Sequence, residues 1–300
     1  MQPMRWMLGG TEVSRVEESV RTSFKPEQLF PGFEREALSE HAGWLVPEFF
    51  DPAEDRFRTS VHTFVVRTRR HTILIDTCGG NHKNRPYLPR FHATRHPWLE
   101  RLEAAGVVPE QVDFVMCTHL HLDHVGWNTR LVDGRWVPTF PNAKYLFHRK
   151  ELDRWNPQHL TWTYAPHNDY VWEDSVAPVV AAGQAVAIDD GYTLDDALTV
   201  EPAPGHTLGH VRIRLRDSGS QAIFSGDLMH VPLQVYFPHW HTSLDDAPEA
   251  GVESRLALLE TCVETNALLL PTHFAAPHCC RIAQKAAGFA IDWSADWPAA

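Results

Sequence analysis

Apolar and polar positions along this chain recur in one order, with short β-type runs first and a helical stretch after them. Residues 4–20 alternate loosely, as an edge strand following a short tail would. Ser60–Thr68 and Thr72–Asp76 read as strands joined by a basic turn at Arg69-Arg70. His96-Pro97-Trp98-Leu99 opens a helix that runs to about Ala105, with proline near its first turn and Gly106 just past its end. A strand-like run from Val112 to Cys117 follows, then a polar segment and a helix start at Trp127. Ala143–His148 reads as the next strand and Lys150–Trp155 as the next helix.

From Ala187 the pattern turns strongly β, with strands at Leu198–Glu201, Val211–Leu215 and Ala222–Phe224. Residues 247–265 place Val252, Leu256, Leu259 and Val263 at helical spacing. Leu268–Leu270 is a short buried strand, and Cys280 to about Phe289 predicts a last helix. Two stretches fit neither period. Residues 24–55, rich in proline, acidic residues and aromatics such as Phe30, Phe33 and Trp44, predict an arm packed over a cleft or on the outside of the core. Residues 155–180, with Trp155, Trp162, Tyr164, Tyr170 and Trp172, have the length and composition of a lid or of an ordinary surface excursion. No linker separates the halves, so residues 1–300 are expected to form one domain, with 1–58 as an N-terminal arm plus edge strand.

Charge and cysteine usage narrow the function. A net charge of −11 argues against a nucleic-acid partner, because polyanion binding needs a cationic face. Cys78, Cys117, Cys262, Cys279 and Cys280 imply no disulfide framework, and a reducing compartment is the simpler reading. The N-terminus lacks the pattern of a signal peptide and no stretch has the length of a membrane span, so a cytoplasmic protein is expected. Exposed aromatics in the arm would suit a homodimer.

The chemistry concentrates in Thr118-His119-Leu120-His121-Leu122-Asp123-His124, directly after an apolar strand. Strand alternation puts His119, His121 and Asp123 on one side, and His124 is added where the chain turns before Gly126. Imidazole nitrogens and a carboxylate suit zinc and similar first-row divalent ions, iron and manganese among them. Four such groups in six residues are too crowded for one tetrahedral ion, so two adjacent ions are expected. His206, Asp227 and His273 each sit at a strand end beside Gly205, Gly226 or Thr272, and Asp76 ends a strand at a glycine turn, where it could orient a ligand histidine.

Taken together, HxHxDH, the later GHTLGH and SGDLMH segments and PTHF resemble the metallo-β-lactamase-fold hydrolases, in that family's order from about Ser60 to Phe289. The resemblance implies an α/β fold, the αββα four-layer sandwich. It also implies that His119, His121 and His206 hold one metal, that Asp123, His124 and His273 hold the second, and that Asp227 bridges both. Asp227 stands where true zinc β-lactamases use cysteine, which argues against β-lactam hydrolysis. His121 stands where the redox di-iron branch has glutamate. Too little chain follows His273 for the glutathione-binding domain of hydroxyacylglutathione hydrolases. The segment looks nearest the N-acyl-homoserine lactonase and methyl parathion hydrolase branches, with His230 where lactonases commonly carry tyrosine.

The expected activity is hydrolysis of a small-molecule lactone or ester by a hydroxide bridging two divalent ions, zinc before iron or manganese. Asp123 or Asp227 would orient the nucleophile or move its proton, and His230 would contact the substrate oxygen. An organophosphate hydrolase using the same site is the alternative. A non-hydrolytic redox or metal-sensing protein is a third reading. Trp127, Phe237 and Trp240 are candidates for an apolar substrate pocket.

Overall fold

A computed structural model describes residues 4–159, 168 and 170–292. They fall into two compact units, the first containing residues 4–19 and 61–196 and the second 20–60 and 197–292. The chain passes between them inside the long strands Thr11–Thr22 and Arg56–Arg67, and again after Asp196.

The sheet of the first unit follows the order Arg5–Leu8, Thr11–Thr22, Arg56–Arg67, Thr72–Ile75, Phe114–Met116, Lys144–His148, Ala185–Ile188. Its first and third pairings are antiparallel, and from Thr72–Ile75 onward the strands run parallel. The parallel strands are short and mostly buried, as strands covered on both faces must be. Helix Trp98–Ala104 buries Trp98 and Leu102 among Val65, Val115 and Tyr145. The long excursion after Ile75 is held by buried ions: Arg85 forms a two-pronged pair with Asp174 at 2.7 and 2.8 Å, and Lys83 donates to Thr129 Oγ1 at 2.6 Å.

In the second unit, Leu198–Pro202, Val211–Asp217, Ser220–Phe224 and Leu268–Leu270 pair in that order, the last pair parallel. Helix Pro248–Thr265 buries Leu258, Leu259 and Cys262 in the core that also holds Leu269 and Phe274. It stops at Asn266, whose left-handed backbone ends the helix. Residues 24–55 carry three short helices, Pro26–Leu29, Glu36–Glu40 and Ala42–Leu45, with Leu29, Phe30 and Leu45 fully buried in this unit.

Several expected elements differ. Residues 280–289 do not form a helix: Arg281–Lys285 and Gly288–Asp292 make an antiparallel hairpin that buries Ile282 against Ile291. The helix expected from Trp127 is instead a single turn, Leu122–Val125, followed by a 3₁₀ turn over Gly126–Asn128. Trp127, a candidate for the substrate pocket, is buried and stacks on Trp98 in the core, with centroids 5.2 Å apart. An unforeseen hairpin, Thr129–Val132 with Arg135–Pro138, turns at Asp133-Gly134, both with positive φ. In the expected lid, Trp155 closes a helix and is buried, and Trp172–Val176 leads into helix Ala177–Ala181. Residues 160–167 and 169, with Trp162 and Tyr164, lie outside the described residues. No helix among the described residues is long and apolar enough to cross a membrane.

Candidate metal centre

The first unit carries half of the candidate donors on one tight loop. Strand Phe114–Met116 delivers Thr118, and Asp76, at the end of the neighbouring strand, grips it: Oδ1 accepts from Thr118 N at 2.8 Å and Oδ2 from Thr118 Oγ1 at 2.9 Å. The same Asp76 Oδ2 lies 2.9 Å from Nδ1 of His124. Asp76 thus stands behind the loop as expected. His119 Nε2 and His121 Nδ1 approach to 3.0 Å, and the rings of His119 and His124 lie 4.0 Å apart. Asp123 Oδ1 lies 3.7 Å from His124 Nε2.

Buried Glu151 fixes the other side of the loop, accepting from Leu120 N at 3.1 Å and from Trp155 Nε1 at 3.0 Å. The turn after the loop packs backbone on backbone. Gly126 N donates to Cys78 O at 2.7 Å, and a Cβ on Gly126 would fall 2.0 Å from Gly79 C, so only glycine fits there. Glu18, 2 % exposed, accepts from Gly79 N, Gly80 N and Trp127 Nε1 and ties these pieces together.

The second unit gathers the rest around Asp227. His206 Nε2 lies 3.2 Å from Asp227 Oδ2, His273 Nε2 3.1 Å from Oδ1, and His230 Nε2 3.3 Å from Oδ2. His206 follows Gly205, whose φ is +141° and whose added Cβ would strike Gly251 Cα at 2.1 Å. His206 Nδ1 meets Asp245 Oδ1 at 3.0 Å, and His273 Nδ1 donates to the Ser60 carbonyl at 2.9 Å. Burial disfavours a charge on His206, yet the Asp227 and Asp245 carboxylates outweigh it and raise its pKa to about 10. For His230 burial prevails over Asp227 and the pKa is lowered. Burial would push Asp245 up, but its hydrogen bond to His206 and that ring's charge hold it below the usual carboxylate range.

Every sequence-expected site residue therefore lies in one of two clusters, His119, His121, Asp123 and His124 in one, His206, Asp227, His230 and His273 in the other. The donors suit a borderline-hard divalent ion, and His124 and His206 have Nδ1 held by a carboxylate, the pattern that orients imidazole ligands. Sequence reasoning missed Asp245, Glu151 and Glu18. Asp245 also accepts from Thr242 N and Thr242 Oγ1, at 2.8 and 2.7 Å. Asp245→Ala is expected to weaken metal binding by about 10–100-fold, measured by competition with a coloured chelator. Unchanged affinity would leave Asp245 as no more than a cap on the Thr242 turn.

The sequence profile described as the metallo-beta-lactamase superfamily matches residues 56–273. N-acyl homoserine lactonase AttM of Azorhizobium caulinodans is 32% identical over 126 residues, 40% of this chain and 43% of the relative. A hydroxyacylglutathione hydrolase of Methylobacillus flagellatus is 31% identical over 134 residues, 45% of this chain and 39% of the relative. The chain thus spans less than half the length of these curated relatives. Among solved structures, the hydrolase AbOPH aligns with a TM-score of 0.80 at 22% identity, covering 97% of this chain and 96% of that one. AidC, a dizinc quorum-quenching lactonase solved with the product N-hexanoyl-L-homoserine, aligns at 0.77 and 20% identity over the same shares. At such identities the likeness is one of fold.

Proposed function

The chain belongs to the metallo-beta-lactamase superfamily and has its mixed α/β fold, and we propose that it is a binuclear metal-dependent hydrolase that opens the carbonyl of a lactone or ester. One observation carries this reading. Nδ1 of His124, His206 and His273 each meets an acceptor, on Asp76, Asp245 and the Ser60 carbonyl, which leaves Nε2 for an ion. In this reading His119, His121 and His206 hold one zinc ion, Asp123, His124 and His273 the other, and Asp227 serves both. The two compact units are then the halves of one domain over residues 1–300, with 1–58 as its arm and edge strand.

When bound, the ions supply an acidified water and Lewis-acid assistance to the developing oxyanion. The chain's own groups do the rest. Asp123, partly open to solvent, or Asp227 orients the attacking water and carries its proton to the leaving oxygen. His230, kept neutral by burial, donates to the substrate oxygen. The stacked rings of Phe237 and Trp240, 4.2 Å apart, offer an apolar surface for an acyl chain.

The lactone is supported by relatives that are N-acyl homoserine lactonases and by the dizinc lactonase AidC among the structures of like fold. The second reading, phosphotriester hydrolysis, is favoured by one residue, His230, where lactonases commonly carry tyrosine. Comparing kcat/KM of the zinc-loaded protein on N-hexanoyl homoserine lactone, an aryl ester and an aryl phosphotriester separates the two. The lactone is expected to lead the phosphotriester by about a hundredfold or more. The reverse order would favour the second reading, and no turnover of any of the three would end the hydrolase assignment.

A further inference from the structure

Beyond the seven ligands assigned above, the second unit buries one more imidazole of unusual standing. His230 is 4 % exposed, its Nδ1 makes no hydrogen bond among the described residues, and its Nε2 has a carboxylate oxygen of Asp227 beside it. Its backbone, by contrast, is firmly set. His230 N donates to Gln234 Oε1 at 2.7 Å, and Gln234 Nε2 in turn donates to the Trp240 carbonyl at 3.2 Å. A buried polar atom left unsatisfied costs on the order of 1–3 kcal/mol, so a ring held this way calls for a partner.

The geometry around it says which kind. His230 stacks on His273 with centroids 5.3 Å apart and planes inclined by 19°. Its Nε2 lies 3.3 Å from Asp227 Oδ2, while His273 Nε2 lies 3.1 Å from Oδ1 of the same carboxylate. A tetrahedral ion with nitrogen and oxygen bonds of about 2.0–2.1 Å sets neighbouring ligands about 3.3 Å apart. The donor atoms of Asp227, His230 and His273 all fall within 4.8 Å of one another. Two imidazoles and one carboxylate form a recurrent three-ligand set for catalytic zinc.

We propose that Asp227, His230 and His273 form a site for a single divalent transition-metal ion, filled by the first ion to load and needing nothing from residues 119–124. This rests on the reading of Asp227 and His273 as metal ligands. His230 is then a ligand in the singly loaded protein and meets the substrate only in the doubly loaded one.

The test removes the donors of the first unit from the full-length chain with H119A, H121A, D123A and H124A together, circular dichroism verifying the fold. Zinc per chain is counted by mass spectrometry after desalting, and Co2+ absorption reports the ligand field. The quadruple variant is expected to keep one zinc per chain. Adding H230A should weaken that zinc by about tenfold or more and remove the Co2+ band. Zinc held equally well without His230 would overturn the proposal, as would a quadruple variant that binds none while the unmodified protein binds two; both results leave the binuclear reading intact. An unmodified protein that binds no metal would end both. Should the quadruple variant not fold, unmodified and H230A proteins are compared at one equivalent of Co2+. A weakened band in H230A supports the site, and an unchanged band overturns it.

Discussion

Replacing Asp227 with alanine is expected to lower kcat/KM on a lactone by about a thousandfold or more, some 4 kcal/mol of transition-state stabilisation. Three imidazoles meet this one carboxylate at 3.1–3.3 Å, and the residue is 3 % exposed. Without it they lose the anion that gathers them, and His206 loses the larger of the two acidic influences that hold its pKa near 10. Asp227→Asn keeps the shape and removes the charge, so it should fail nearly as badly. Steady-state kinetics with metal content measured on the same samples checks this. An alanine variant that kept two metals and normal turnover would remove Asp227 from the centre.

The second large effect is on stability. Arg255→Met is expected to cost about 3–5 kcal/mol of unfolding free energy, measured by denaturant titration. Arg255 sits on helix Pro248–Thr265, 1 % exposed, and donates to the carbonyls of Leu228, Pro238 and Trp240 at 2.6, 2.8 and 3.0 Å. Burial lowers its pKa only to about 10, so it remains charged at neutral pH. The three carbonyls bracket the segment that carries His230 and the Phe237–Trp240 stack. Methionine would fill the volume, leave the Leu228 and Pro238 carbonyls without their donor and leave Trp240 O with Gln234 Nε2 alone. Lysine, whose three N–H bonds leave one nitrogen instead of a spread planar fork, should rescue little. A loss under about 1 kcal/mol would mean that water replaces the guanidinium at no great cost.

The donor-bearing loop was legible because its signal is local. Ligand types at spacing two follow an apolar strand, and that strand, Phe114–Met116, forms in the structure. His206, Asp227 and His273 were individually ordinary and became readable through their strand-end positions and the family's order. Asp245 left no such trace. It lies in a turn, and its contact with His206 bridges 39 residues that only tertiary folding brings together. The hairpin at 281–292 was misread because Ala286-Ala287 favours a helix. Gly288, with φ of +129°, and the pairing of Ile282 with Ile291 decide otherwise. Trp127 shows the same limit: an aromatic beside a polar loop can face either way, and Trp98 and Glu18 draw it into the core. The turn at Asp133-Gly134 was readable from its sequence, since that pair is a strong hairpin signal.

Stepwise reloading tests most directly whether a centre of two metal ions acts in hydrolysis. Protein stripped with a chelator receives zinc in increments, with zinc per chain and lactone turnover measured at each step. The prediction is no turnover in the stripped protein and full turnover only as the content reaches two zinc ions per chain. Turnover that survives complete metal removal, or a two-zinc protein that leaves lactones and esters alike untouched, would contradict it.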